Sequence, residues 1–217
     1  SPRPAARMFS LSGVRHAYAG VEALRLESFS AAQGEHWLVL GPSGCGKSTL
    51  LHALAGLLRP QSGEIVVGGE RLDRMNETSL DRWRGRTVGI VPQRLHLLPS
   101  LSLQDNLLLA QYAAHLPQRI ERVREVLGRI GLSARAGAYP HELSHGQAQR
   151  AAVARAVVNR PQVLLADEPS SNLDDANCGQ ALDLLEGEAR ECGATLVIAT
   201  HDRRARARFG LQLVLGA

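Results

Sequence analysis

The chain has 217 residues, of which 44% are hydrophobic and 21% charged. That is enough for a substantial buried core, and it excludes a largely disordered protein. A net charge of +4 permits an anionic partner without requiring one, no apolar run is long enough to span a membrane, and Cys45, Cys178 and Cys192 lack the spacing of a zinc site or disulfide framework.

Residues 1–7 have no apolar signal core and are expected to form a flexible lead-in to a domain over 8–217. Met8–Val14 and Ala23–Ser30 partly alternate apolar and polar, which predicts strands with turns at Ala19-Gly20 and Gln33-Gly34. Tyr18, in the first turn, suits either a core plug or a platform on which a base stacks.

Trp37–Leu40 reads as a buried strand and Leu50–Leu58 as a helix with an apolar face. Between them stand Gly41, Pro42, Ser43, Gly44, Cys45, Gly46, Lys47, Ser48 and Thr49. Strand, glycine-rich turn and helix are the setting in which G-x-x-x-x-G-K-[ST] binds phosphate. The glycines let backbone N–H groups converge on an anion at a helix N-terminus. Lys47 would reach the β- and γ-phosphates, and the Ser48 hydroxyl would ligate Mg²⁺. Lys47 is the only lysine among 25 basic residues, so a compact ammonium is kept here in a chain that otherwise uses arginine.

Arg59–Gly63 is a helix stop, Glu64–Glu70 a strand with a Gly-Gly hairpin signal, and Thr87–Val91 a short strand ended by Pro92-Gln93. From 94 to about 160 the pattern is mostly helical and predicts a helical subdomain. Within it, Leu143-Ser-His-Gly-Gln147 precedes a helical run, with Ser144 as N-cap and Gly146 allowing close approach, a second helix N-terminus ready for an anion. By itself it is also an ordinary capped helix. One ATP needs one phosphate loop, so this second anion site points to the nucleotide of another subunit.

Gln162–Asp167 and Ala194–Thr200 read as buried parallel strands around a helix at about 175–191, and Leu211–Leu215 as a last strand. Asp167 at a strand's carboxyl end suits Mg²⁺, and Glu168 suits orienting or deprotonating water. Alone, Asp-Glu-Pro is equally a surface turn. Gln93 could ligate the metal through its amide oxygen, and His201 could hydrogen-bond a transferring phosphoryl group. Each signal is modest, and the ordered set is what decides. The cluster Arg203, Arg204, Arg206 and Arg208 reads as a solvated face.

With these residues in place the chain resembles the ATP-binding-cassette (ABC) ATPases over about 8–217. Gly41–Ser48 matches Walker A, Gln93 the Q-loop, and Leu143–Gln147 the signature LSGGQ. Gln162–Asp167 with Glu168 matches Walker B and its glutamate, Ser171-Asn-Leu-Asp174 the D-loop, His201 the switch histidine, and Tyr18 the adenine-stacking aromatic. Leu97–Asn106 resembles the lipoprotein-release and macrolide-export group. His145 departs from the pattern by standing where the signature usually has glycine.

The resemblance implies an α/β P-loop fold with an antiparallel β subdomain and a helical subdomain. It implies hydrolysis of ATP to ADP and phosphate. Glu168, His201 and Lys47 would be catalytic and Ser48, Gln93 and Asp167 would hold Mg²⁺. The loop from Gly41 to Thr49 and Tyr18 would bind ATP together with Gln93, and Ser144, Gly146, Gln147 and Asp174 would serve the second half-site. The implied partners are a second cassette, as a homodimer or pseudo-symmetric pair, and transmembrane permease subunits at the cytoplasmic face of the inner membrane. Leu95, Leu97, Leu98 and Leu101 are expected to help build a groove for a permease helix. A DNA-associated ATPase is disfavoured because only about 95 residues, without sustained heptads, separate Walker A from the signature; no nucleic-acid partner is expected. A translation-associated cassette is disfavoured because such chains usually carry two cassettes.

Overall fold

The computed structural model describes residues 7–171 and 173–216. Asn172 of the D-loop match lies outside them, as does the expected lead-in except for Arg7, which opens the first strand. Strands β1 (Arg7–Tyr18) and β2 (Val21–Ala32) pair antiparallel across Ala19-Gly20, from Arg7 opposite Ala32 to Tyr18 opposite Val21. Both turn residues have positive φ, 49° and 83°, which matches the twist of a two-residue hairpin. The ribbon is longer than expected because its polar ends pair through backbone bonds, while register shifts such as that between His16 and Ala17 break the alternation.

Next come β3 (His36–Leu40) and α1 (Lys47–Leu54). The helix stops four residues before the expected Leu58, at a turn in which Gly56 has φ 64°. Strands β4 (Ser62–Val67) and β5 (Glu70–Arg71) complete a four-stranded antiparallel sheet in the order β2-β1-β4-β5. Helix α2 (Glu77–Thr87) is an element the apolar pattern did not reveal. Only Leu80 and Thr87 are buried in it, and its start is set by the Asn76 side chain, which accepts from Ser79 N at 2.9 Å. Then follow β6 (Val88–Val91), α3 (Leu103–Ala113), α4 (Ile120–Arg129) and α5 (His145–Val157). The chain closes with β7 (Val163–Asp167), α6 (Asp175–Cys192), β8 (Thr195–Thr200) and β9 (Leu211–Val214).

The second sheet is parallel, in the order β6-β7-β8-β3-β9. Its central strands are apolar on both faces, as burial on both sides requires. Period-two alternation divides them between two cores. Leu38, Leu164, Ala166, Leu196 and Ile198 join α3, α4, α5 and α6 on one face. Val39, Val163, Leu165, Val197 and Ala199 join α1 and the antiparallel sheet on the other. The helices expected over 94–160 are therefore α3, α4 and α5, all sharing one apolar core with α6. This three-layer build leaves the carboxyl ends of β3, β6, β7 and β8 along one rim, where the 41–49 loop, Gln93, Asp167, Glu168 and His201 lie.

Candidate active site

The turn between β3 and α1 is held by close packing. Gly46, with φ 98°, precedes Lys47, and a Cβ there would lie 2.2 Å from the carbonyl oxygen of Ala23 on β2. Only glycine fits, and the turn is thereby seated on the antiparallel sheet. The Cys45 amide donates to the Pro42 carbonyl at 3.3 Å, and that of Leu50 to Gly46 at 2.8 Å. Lys47 is 6% exposed; its Nζ donates to the carbonyl oxygens of Gly41 at 2.8 Å and Pro42 at 3.0 Å and stands 3.6 Å from Glu168 Oε1. The single lysine is therefore fixed over its own loop.

A cavity of about 390 Å³ opens above it. Ser43, Gly44, Gly46, Lys47, Ser48 and Thr49 line one side, and Gln93, Glu168 and His201 another. Tyr18 closes one end with its ring half exposed, its edge-to-face partner being His16 at 4.6 Å between ring centroids. Asp167 ends β7 beside Ser48. Burial pushes its carboxyl above the ordinary range, opposed by the Ser48 hydroxyl, and its Oδ1 is buried without a partner. Glu168, the next residue, has φ 49° and donates its amide to the Ala199 carbonyl at 2.8 Å. Its Oε1 lies 3.0 Å from His201 Nδ1, and its Oε2 accepts from Thr200 Oγ1 at 2.9 Å and from the His201 amide at 3.3 Å.

The structure keeps the other expected residues apart from this cavity. Ser144 and Gln147 form a reciprocal cap at the start of α5: Gln147 N donates to Ser144 Oγ at 3.2 Å, and Ser144 N to Gln147 Oε1 at 2.9 Å. Gly146 is exposed beside them. Asp174 caps α6, its two oxygens accepting from Asn177 N at 2.8 Å and Nδ2 at 3.0 Å. His145 is exposed and borders a separate crevice of about 300 Å³ whose other wall includes Gln93 and Glu168.

A protein-family model described as ABC transporter matches residues 24–171, well over half the chain. The chain belongs to the ABC transporter family. An uncharacterized ABC transporter ATP-binding protein of Thermotoga maritima is 44% identical over 184 residues, 84% of this chain and 78% of that one. The lipoprotein-releasing system ATP-binding protein LolD of Bordetella avium is 42% identical over 197 residues, 90% of this chain and 86% of its own. A dimeric structure of MJ0796, described as a bacterial ABC transporter cassette, superposes with a TM-score of 0.86 at 30% identity, covering 96% of this chain and 94% of that one. A second structure of that cassette, similar to the same degree, is dimeric in a post-hydrolysis state bound to ADP and Pi.

The cassette is thus an ATPase subunit with the α/β fold of its family. Among its described residues no helix is long and apolar enough to cross a membrane. Sequence reasoning passed over Thr200, Asp202 and Ser170, which form a polar network behind the cavity. Ser170 Oγ donates to Asp202 Oδ2 at 3.0 Å, and the Asp202 amide to Thr200 Oγ1 at 3.0 Å. Arg204 grips Asp202 and holds its carboxyl far below the usual range. A hydroxyl ending a strand with an apolar interior was the available signal. Arg204 and Arg208 of the arginine cluster are occupied by ion pairs, Arg208 with Asp183 and Glu186.

Proposed function

We propose that this cassette drives a lipoprotein-release-like transporter as one of a pair that clamps two Mg-ATP and docks on permease subunits at the cytoplasmic face of the inner membrane. The observation that carries the reading is the convergence of the 41–49 loop, Tyr18, Gln93, Glu168 and His201 on one cavity, with the Ser144 cap elsewhere. LolD similarity over 90% of the chain favours lipoprotein release over macrolide export.

Tyr18 offers its ring to the adenine, and the loop amides with the start of α1 receive the phosphates. Lys47 stabilises the γ-phosphoryl as a point charge. Ser48, Gln93 and Asp167 would hold Mg²⁺; the partnerless, buried Oδ1 of Asp167 is the kind of oxygen a divalent cation satisfies. When bound, the ion neutralises charge on the phosphates. Glu168 orients the attacking water and accepts its proton through Oε1, and His201 fixes that oxygen and faces the phosphoryl group. Ser144, Gly146 and Gln147 of a second copy complete the site across the nucleotide, with Asp174 passing the state of one site to the other. His145 enters that half-site as an imidazole in place of a hydrogen atom, so its ring must turn from the phosphate.

Glu168→Gln is expected to bind Mg-ATP, accumulate as an ATP-bound dimer on size exclusion, and lose about 10²–10⁴-fold in phosphate release. Steady-state turnover near wild type would reject the assignment.

A further inference from the structure

The fold treats the two oxygens of Glu168 differently. Oε2 is tied to the scaffold by two donors, Thr200 Oγ1 at 2.9 Å and the His201 amide at 3.3 Å. Oε1 faces the cavity, 3.0 Å from His201 Nδ1 and 3.6 Å from Lys47 Nζ. Thr200 is fully buried at the end of β8. Its hydroxyl accepts from the Asp202 amide at 3.0 Å, which directs the hydroxyl hydrogen at the carboxylate. Asp202 is itself fixed, by Ser170 and by the Arg204 fork. A glutamate side chain has three rotatable bonds, and a group that must meet a water in one geometry gains from having that freedom removed.

We propose that Thr200 is a positioning residue that anchors Glu168 by Oε2 and so reserves Oε1 for the attacking water. The inference rests on Glu168 being the residue that handles that water. A hydroxyl that only satisfied its own burial would leave the rate untouched on removal, which gives the distinction a kinetic readout.

Thr200→Val deletes the hydroxyl at nearly constant volume, and Thr200→Ser keeps it. In Mg-ATP hydrolysis by the purified chain, Thr200→Val is expected to lower kcat about tenfold or more with KM within about twofold of wild type, and Thr200→Ser to restore most of the rate. Combined with Glu168→Gln, Thr200→Val should leave the ATP-bound dimer intact and slow turnover no further, because the anchored carboxylate is already gone. If Thr200→Val does not fold, Thr200→Cys carries the same comparison with a weak donor of similar size. A wild-type kcat in Thr200→Val beside a stalled Glu168→Gln overturns the anchor alone. A Thr200→Ser rate as low as that of Thr200→Val, or a KM that rises in step with the loss, also overturns it. A fully active Glu168→Gln overturns the assignment of Glu168 and the anchor together.

Discussion

Glu168 sits in the left-handed region, φ 49°, directly after the strand that delivers Asp167. A glutamate there costs about 1 kcal/mol or more, and such strain persists where the surroundings fix it. Here the Ala199 carbonyl fixes the backbone, and Thr200 with His201 fixes the carboxylate. The turn sends two consecutive acids in different directions, Asp167 toward Ser48 and Glu168 toward Lys47 and His201. At the far end of the cavity, Tyr18 contributes area without charge. Its half-exposed ring, braced by His16, predicts that Tyr18→Ala raises KM for ATP about tenfold with kcat unchanged, while Tyr18→Phe stays near wild type. Nucleotide titration beside steady-state kinetics checks this; a fall in kcat at constant KM would remove Tyr18 from the base.

Elements whose apolar residues are periodic were readable from the chain, because burial on both faces of β7 and β8, or on one face of α5 and α6, leaves that pattern. Helix α2 was not, because its stability comes from the Asn76 cap and from Arg84 and Arg86 on carbonyls of neighbouring segments. The site residues were legible where chemistry restricts the residue type, as in the 41–49 loop. Thr200 was not, because a threonine is common in strands and its partner lies 32 residues away. Leu95 and Leu97 are partly buried against the core, and of the four expected to line a docking groove Leu98 is the one that is exposed, at 43%. An open groove lies close by, between α2, β6, α3 and α5. It holds about 450 Å³ and has small residues at Gly85, Gly89, Ala110 and Ala113. Arg155 lines it, partly buried, donating only to the backbone carbonyls of Leu95 and His96 among the described residues. An acidic side chain on a permease helix suits that guanidinium. Ala113→Trp, at an exposed position, should fill the groove and abolish co-purification with a permease from detergent-solubilised membranes while the melting temperature stays unchanged. Undiminished co-purification would place the docking surface elsewhere.

At the scale of the whole molecule, the two helix N-termini suited to phosphate belong to different layers. Helix α1 packs with the antiparallel sheet, and α5 packs on the opposite face of the parallel sheet against α6. With the two helix starts on opposite faces of the parallel sheet, the proposed composite site would take its Ser144 cap from a second copy. A head-to-tail pair does this with two equivalent sites, the closed arrangement that two-fold symmetry favours. In the Glu168→Gln background, Ser144→Arg should still bind labelled ATP as a monomer, because its own loop is untouched. It should fail to form the ATP-dependent dimer on size exclusion, because a guanidinium then occupies the place of the cap. Lys47→Ala in the same background should lose both ATP binding and the dimer. Loss of monomer ATP binding in Ser144→Arg would put the α5 cap in its own chain's site, and an undiminished dimer would take it out of the interface.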